Sequence, residues 1–214
     1  MQYVTIQQMK KIDQNAATYG MPIELMMENA GREICNQVLK IIKKYKIKKI
    51  LVIAGNGNNG GGVIAASRHL SIHGISLKLA ILGTKNSSIQ NKLNLSLVRK
   101  NPKIQIIHSS KNLKKLLSEI QNSELILDGI FGIGISRGIV EPYYSIISAI
   151  NDSKAYVISN DVPSGIDADS GKTYNIAVKS NYLVVLHKPK KWMLNNKTHK
   201  FIVVNIGIPI EVNS

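Results

Sequence analysis

Three groups of residues in this 214-residue chain have types and spacings that could form a chemical site. The first is Gly55-Asn56-Gly57-Asn58-Asn59-Gly60, a G-x-G-x-x-G run extended by Gly61 and Gly62. Small residues let backbone N–H groups approach an anion, and a helix opening at such a turn adds favourable partial positive charge. The turn is therefore expected to receive the phosphates of a nucleotide-like ligand. The second group is Asp128, which leads into the loop Gly132-Ile133-Gly134-Ile135-Ser136-Arg137-Gly138. The third is Asp161, which enters the turn Val162-Pro163-Ser164-Gly165. Either aspartate could face that ligand, and either could equally end a strand by hydrogen-bonding a turn.

These groups meet only if the elements before them are strands of one sheet. Thr5 reads as the N-cap of a helix from Ile6 to about Thr18, closed by Gly20 and Pro22. A longer helical pattern follows over Glu24–Lys44, with Met27, Ile34, Val38, Ile41 and Ile42 on one face. Lys49–Ala54 is a short β-branched run, expected as a strand covered on both faces. Helices then alternate with strands. Helices are expected at Val63–His73, Gln90–Lys100, Leu113–Ile120 and Tyr143–Asn151. Strands are expected at Ser76–Leu82, Ile104–Ile107, Glu124–Leu127, Tyr156–Ser159, Leu183–Leu186 and Phe201–Val204. This predicts an α/β fold: a Rossmann-like, doubly wound, mostly parallel sheet with helices on both faces, preceded by two N-terminal helices. Residues 1–214 read as one domain. In such sheets ligands sit beyond the carboxyl ends of the strands, where all three groups fall.

Several function classes lose ground. A dehydrogenase needs an acid for the ribose some 20 residues past the turn, but that strand ends Leu82-Gly83-Thr84-Lys85-Asn86. No Gly-Lys-Ser/Thr closes a P-loop. Asp167-Ala168-Asp169-Ser170-Gly171 lacks the closing glutamate of a calcium loop and reads as a turn. His69 and His73 have the i, i+4 spacing of a metal pair but no third ligand. The single cysteine, Cys35, reads as a small buried hydrophobe. Net charge is +15, with dense runs at Lys43–Lys49 and Lys188–Lys191, yet aromatics are only 5%, so no stacking platform supports nucleic-acid binding. No apolar run approaches a membrane span and no secretory signal opens the chain, so a cytoplasmic protein is expected.

The whole arrangement resembles the NAD(P)H-hydrate epimerase family, also called the YjeF N-terminal domain family. The resemblance is carried by Met26-Met27-Glu28-Asn29-Ala30-Gly31-Arg32, Gly57-Asn58-Asn59-Gly60-Gly61 and Asp128-Gly129-Ile130-Phe131-Gly132-Ile133-Gly134. It continues through Asp161-Val162-Pro163-Ser164-Gly165 with Asp167–Gly171, Lys188-Pro189-Lys190, and Asn205-Ile206-Gly207-Ile208-Pro209. These motifs in the right order make it specific, and it spans essentially the whole chain.

The resemblance implies interconversion of the R and S forms of hydrated NADH and NADPH (NADHX and NADPHX) in nicotinamide cofactor repair. A separate ADP- or ATP-dependent dehydratase would then restore the cofactor, because this chain has no room for a fused dehydratase domain. Asn58, Asn59, Gly60, Gly61 and Gly62 would bind substrate together with Gly132, Ile133, Gly134, Ile135, Ser136, Arg137 and Gly138. Asn59, Asp128 and Ser164 would hold one potassium ion per subunit. Asp161 would contact substrate and perform acid/base work, given a pKa raised toward neutrality. Lys190 matches the family's Pro-Lys beside the pocket, and Lys85 is a candidate for a 2′-phosphate. A homodimer is also implied. The turn departs from the family's NNGGDG, because Gly62 and Val63 replace the acid and the following glycine. That keeps a second reading open, a non-catalytic nucleotide- or RNA-binding module of the same fold.

Overall fold

The computed structural model describes residues 2–83, 87–109, 112–195 and 199–212. Two helices come first. In α1 (Ile6–Tyr19) a capping box pairs Thr5 with Gln8, and Gly20, at φ 108°, closes the helix. After it, α2 (Ile23–Tyr45) begins behind Pro22 and ends on Lys46 in the left-handed region.

The alternation then runs β1 (Ile50–Ala54), α3 (Asn58–Ile72), β2 (Leu77–Ile81), α4 (Ile89–Val98), β3 (Ile104–His108), α5 (Leu113–Gln121) and β4 (Leu125–Gly129). It continues with α6 (Tyr143–Asp152), β5 (Tyr156–Asn160), β6 (Tyr182–Leu186), a 3₁₀ turn (Lys191–Asn195) and β7 (Lys200–Val204). The sheet order is β3-β2-β1-β4-β5-β6-β7. Every pair is parallel, so the sheet is wholly rather than mostly parallel.

Side chains alternate across the sheet with the two-residue period of a strand. Ile50, Val52 and Ala54 join the core made with α1–α4, while Leu51 and Ile53 join the one made with α5 and α6. Burial on both faces explains the unbroken apolar run of β1.

Two boundaries differ from the sequence reading in ways that matter for the site. The helix expected from Val63 begins at Asn58, so most of the glycine run is helical. Glycine disfavours a helix by about 1 kcal/mol relative to alanine, which makes the run read as a loop. Close packing overrides that preference: a Cβ on Gly60 would lie 2.0 Å from the Gly55 carbonyl oxygen, and one on Gly61 2.6 Å from Met27 Sδ. Val63 accordingly lies within the helix, with ordinary φ and a buried side chain against Gly129. The second difference is that β4 extends through Asp128 to Gly129, which pairs with Ala54. Asp128 is thus a strand residue rather than the first residue of a loop.

Candidate active site

The strand order reverses between β1 and β4, and the connections leaving these two strands part there. A cavity of about 820 Å³ opens at that place, within the usual range for a small-molecule site. It is lined by Asn56–Asn59 and Gly62 after β1, by residues 130–140 after β4, by Asp161 after β5, by Leu186 and Lys190 after β6, and by Met9, Lys10 and Asp13 of α1.

One end of the cavity is suited to an anion. Gly57 is the N-cap of α3 and offers no side chain to the first turn, which contains no acid. The open N–H groups and the helix dipole therefore face the cavity unopposed. The turn is held from outside by Asn91 of α4, whose Nδ2 donates to the Gly55 carbonyl at 2.8 Å. Gly60 and Gly61 lie behind this surface as packing residues and do not line the cavity, whereas Asn58, Asn59 and Gly62 do.

Behind the loop after β4 is a dense polar knot. Asp128 is fully buried, and its carboxylate accepts four hydrogen bonds. Oδ1 takes Ile130 N–H at 3.1 Å and Ser164 O–H at 2.6 Å. Oδ2 takes Ser164 N–H at 3.0 Å and Ser159 O–H at 2.7 Å. Burial pushes this carboxyl's pKa up, and the bonds from Ser164, Ser159 and Ile130 oppose that push. Ser164 Oγ also accepts Phe131 N–H at 2.9 Å, and Asn59 Nδ2 donates to the Phe131 carbonyl at 2.7 Å. The knot thus ties the turn after β1, the loop after β4 and the Pro163-Ser164 turn into one unit. None of these contacts was stated by the motifs alone.

The other end of the cavity is acidic and basic at once. Asp161 and His187 both have φ 63°, rare for residues with a Cβ. Each lies at the centre of a three-residue turn, closed by Val162 N–H to the Asn160 carbonyl and Lys188 N–H to the Leu186 carbonyl, both 2.8 Å. These turns at adjacent strand ends bring Lys190 Nζ onto Asp161 Oδ1, which also accepts Leu186 N–H at 2.9 Å. Lys190 is 1% exposed and lies on the cavity wall, beside the pocket as the resemblance implies.

The sequence reading missed Asp13. Burial pushes its carboxyl up to about 6, with Lys190 pulling it down and Asp161 pushing it further up. The signal was present: Met9, Ile12 and Ala16 form the buried face of α1, and Asp13 follows Met9 by four residues on that face. It is the lone acid of the helix.

The remaining candidates find structural places. Glu28 bonds His69 Nε2 at 2.9 Å and pairs with Arg68, so the Met26–Arg32 motif fastens α2 to α3. Asn29 Nδ2 reaches the Ile206 carbonyl at 3.1 Å, and a Cβ on Gly31 would lie 2.5 Å from Ala65 Cβ. Asp167 Oδ1 accepts from Asp169 N, Ser170 N and Ser170 Oγ, which is a turn as expected. Cys35 is buried, and burial raises its thiol to about 11. Among the described residues no group of three His, Cys, Asp or Glu could hold a metal, and no helix is long and apolar enough to cross a membrane. Lys85 lies outside the described residues.

Residues 23–192 match the family model described as YjeF-related protein N-terminus. The chain is 32% identical over 212 residues to the NAD(P)H-hydrate epimerase of Nitrosopumilus maritimus, an alignment covering 97% of this chain and 96% of that protein. It is 31% identical over 211 residues to the bifunctional NAD(P)H-hydrate repair enzyme Nnr of Archaeoglobus fulgidus, covering 98% of this chain but 42% of that longer protein. Among solved structures, yeast ynu0 matches with a TM-score of 0.87 at 22% identity, over 99% of this chain and 92% of that one. At that identity the likeness concerns the fold.

Proposed function

Since the chain belongs to the YjeF-related N-terminus family, we propose that it is an isomerase that interconverts the R and S forms of NADHX and NADPHX in nicotinamide cofactor repair. The observation that carries this reading is the bipolar cavity. A helix N-terminus suited to a diphosphate stands at one end, and the Asp161–Lys190 pair at the other. Arg137 on the loop after β4 adds a cation on the cavity wall.

The substrate's hydroxyl sits on a ring carbon next to the ring nitrogen. Protonating that hydroxyl lets it leave as water while the nitrogen lone pair forms a C=N bond. Water then adds to the other face and gives up its proton. A positioned carboxylate can serve this exchange, and general acid–base help of this kind contributes about 10²–10⁴-fold. Asp161 Oδ1 is occupied by Lys190 and Leu186 N–H, so Oδ2 is the oxygen left to face substrate.

A potassium ion belongs to the same proposal. The side-chain oxygens of Asn59, Asp128 and Ser164 are hard donors, which suit an alkali cation; Asn59 Nδ2 and Ser164 Oγ both donate to the Phe131 carbonyl, and Ser164 Oγ also to Asp128. Such an ion would offset diphosphate charge and stiffen the turn. Further parts of the reading are a separate ADP- or ATP-dependent dehydratase, a cytoplasmic location, and a homodimer. An exposed apolar stripe on α4, formed by Ile89, Leu93 and Leu97, is a surface a second copy could cover.

The test is to incubate the pure protein with an excess of one NADHX epimer and follow equilibration by chromatography. Wild type should equilibrate the mixture at least 100-fold faster than Asp161→Asn. Equal rates for wild type and buffer would leave the non-catalytic module standing, a reading that the glycine at position 62 favours. Salt-sensitive RNA binding by the same sample would then support it.

A further inference from the structure

Asp13 has no part in the scheme above, yet its placement is fixed by several independent contacts. Val4 N–H donates to the Pro189 carbonyl at 2.9 Å and Lys191 N–H to the Val4 carbonyl at 2.8 Å, which forms a parallel bridge beside Lys190. Ile6 N–H, the first of α1, donates to Asp169 Oδ1 at 2.8 Å. These contacts lock the start of α1 to the segment that supplies the cavity lysine. Two turns later, the register of the buried face places Asp13 on the cavity wall.

The charged and titratable groups around that cavity are Lys10 on the same helix, Asp161, Lys190, Arg137 and Tyr143. Lys190 is committed: its ammonium donates to Asp161 Oδ1, to the Leu186 carbonyl at 3.2 Å and to the Lys188 carbonyl at 3.1 Å. An ammonium with three acceptors is a poor proton donor to substrate. Asp161 meets that ammonium and Leu186 N–H through Oδ1, which leaves Oδ2 as the acceptor. The exchange at the ring carbon needs a donor as well as an acceptor, and Asp13 is the second carboxyl facing the same space. Burial raises its pKa to about 6, so a useful fraction carries a proton near neutral pH.

We propose that Asp13 is the proton donor of the epimerisation, paired with Asp161 as the acceptor. The inference rests on the epimerase reading. Asp13 gives its proton to the departing hydroxyl, the C–O bond breaks with its electron pair, and water leaves as the ring nitrogen forms C=N. Water adds to the opposite face, the new C–O bond forms, and the released proton goes to Asp161. One turnover leaves Asp13 ionised and the proton on Asp161; exchange with solvent water returns the pair to its starting state, and in the reverse direction the two carboxyls exchange roles.

The experiment compares wild type, Asp13→Asn and Asp13→Glu for equilibration of one NADHX epimer across pH 5–9, with buffer rates subtracted and native folding checked by circular dichroism. Asp13→Asn should lower kcat about 10²-fold or more with little change in KM. In wild type, kcat/KM should fall as pH rises through about 6, the value at which Asp13 loses its proton. That limb should vanish in Asp13→Asn and return, displaced, in Asp13→Glu. An active wild type beside a folded Asp13→Asn with the same rate or the same limb would overturn the donor role alone. An inert wild type would overturn the epimerase reading and the donor role with it.

Discussion

Lys190 Nζ meets Asp161 Oδ1 at the junction of two left-handed backbone turns, and the lysine is 1% exposed. Such a pair is held by geometry rather than by simple charge attraction, because desolvating two ions in the interior offsets most of their Coulomb gain. Removing one partner leaves the other buried and uncompensated. Lys190→Met should therefore destabilise the fold by about 3–5 kcal/mol and abolish turnover. Lys190→Arg should also fail, since a planar guanidinium cannot place donors on Asp161 and on the Leu186 and Lys188 carbonyls together. Urea unfolding beside the epimer assay measures both, and wild-type stability in either variant would refute the account.

Ser164 links Asp128 to Phe131 through one hydroxyl. Ser164→Ala deletes it and leaves the buried Asp128 carboxylate and the half-buried Phe131 N–H each short of a bond, so stability should fall by about 1–3 kcal/mol. If this knot holds an alkali ion, replacing potassium chloride by tetramethylammonium chloride at equal ionic strength should lower both Tm and rate in wild type. Neither should respond in Ser164→Ala. Equal response of the two proteins to the salt exchange would place the ion elsewhere or nowhere.

The strand–helix alternation and the places of Asp161 and the loop Gly132–Gly138 on the cavity wall were legible because each depends on short-range signals, β-branched runs, strand-end acids and turn residues, whereas Asp128 lies one step inside its strand. The start of α3 was not legible, because Gly61 is required by a contact with Met27, far outside the local pattern, and Gly60 by the chain folding back onto the Gly55 carbonyl. Lys190 lies in a basic run, and only the turn at His187 shows why it points inward. Asp13 was visible as an acid on an apolar helix face, but the register of α1 over the cavity depends on the contacts of Val4 with Pro189 and of Ile6 with Asp169, each joining residues more than 160 positions apart.

The departure at Gly62 has a specific neighbour. A Cβ there would lie 3.2 Å from Asn160 Nδ2 and 3.8 Å from Ile34 Cδ1. Asn160 is buried, donates to the Asn59 carbonyl at 3.2 Å, and has an Oδ1 without a partner. Gly62→Asp would need Asn160 to move by a few tenths of an ångström, and the new carboxylate could then accept from its amide. The substitution also relieves a helical glycine and adds an acid near the N-terminus of α3, so a gain of about 0.5–1 kcal/mol is expected. Under the epimerase reading the rate should rise as well. A drop in thermal stability would mean that Asn160 cannot yield and that position 62 is glycine for packing reasons.

Asp13 also makes a prediction that needs no substrate. Its carboxyl titrates at about 6 in the folded chain against an ordinary value of 3.8. Between those values the folded chain holds a proton that the unfolded chain has lost. The stability linked to this proton is complete below about pH 4 and is lost as pH rises through about 6. Two pKa units correspond to about 3 kcal/mol, which solvent screening at this partly open site reduces to about 1–2 kcal/mol. Asp13→Asn carries no such charge. It should therefore match wild type near pH 4 and exceed it by that amount near pH 8, in urea unfolding run at both values. A constant difference across the range would show that Asp13 titrates like an exposed carboxylate, and that the cavity does not shelter it.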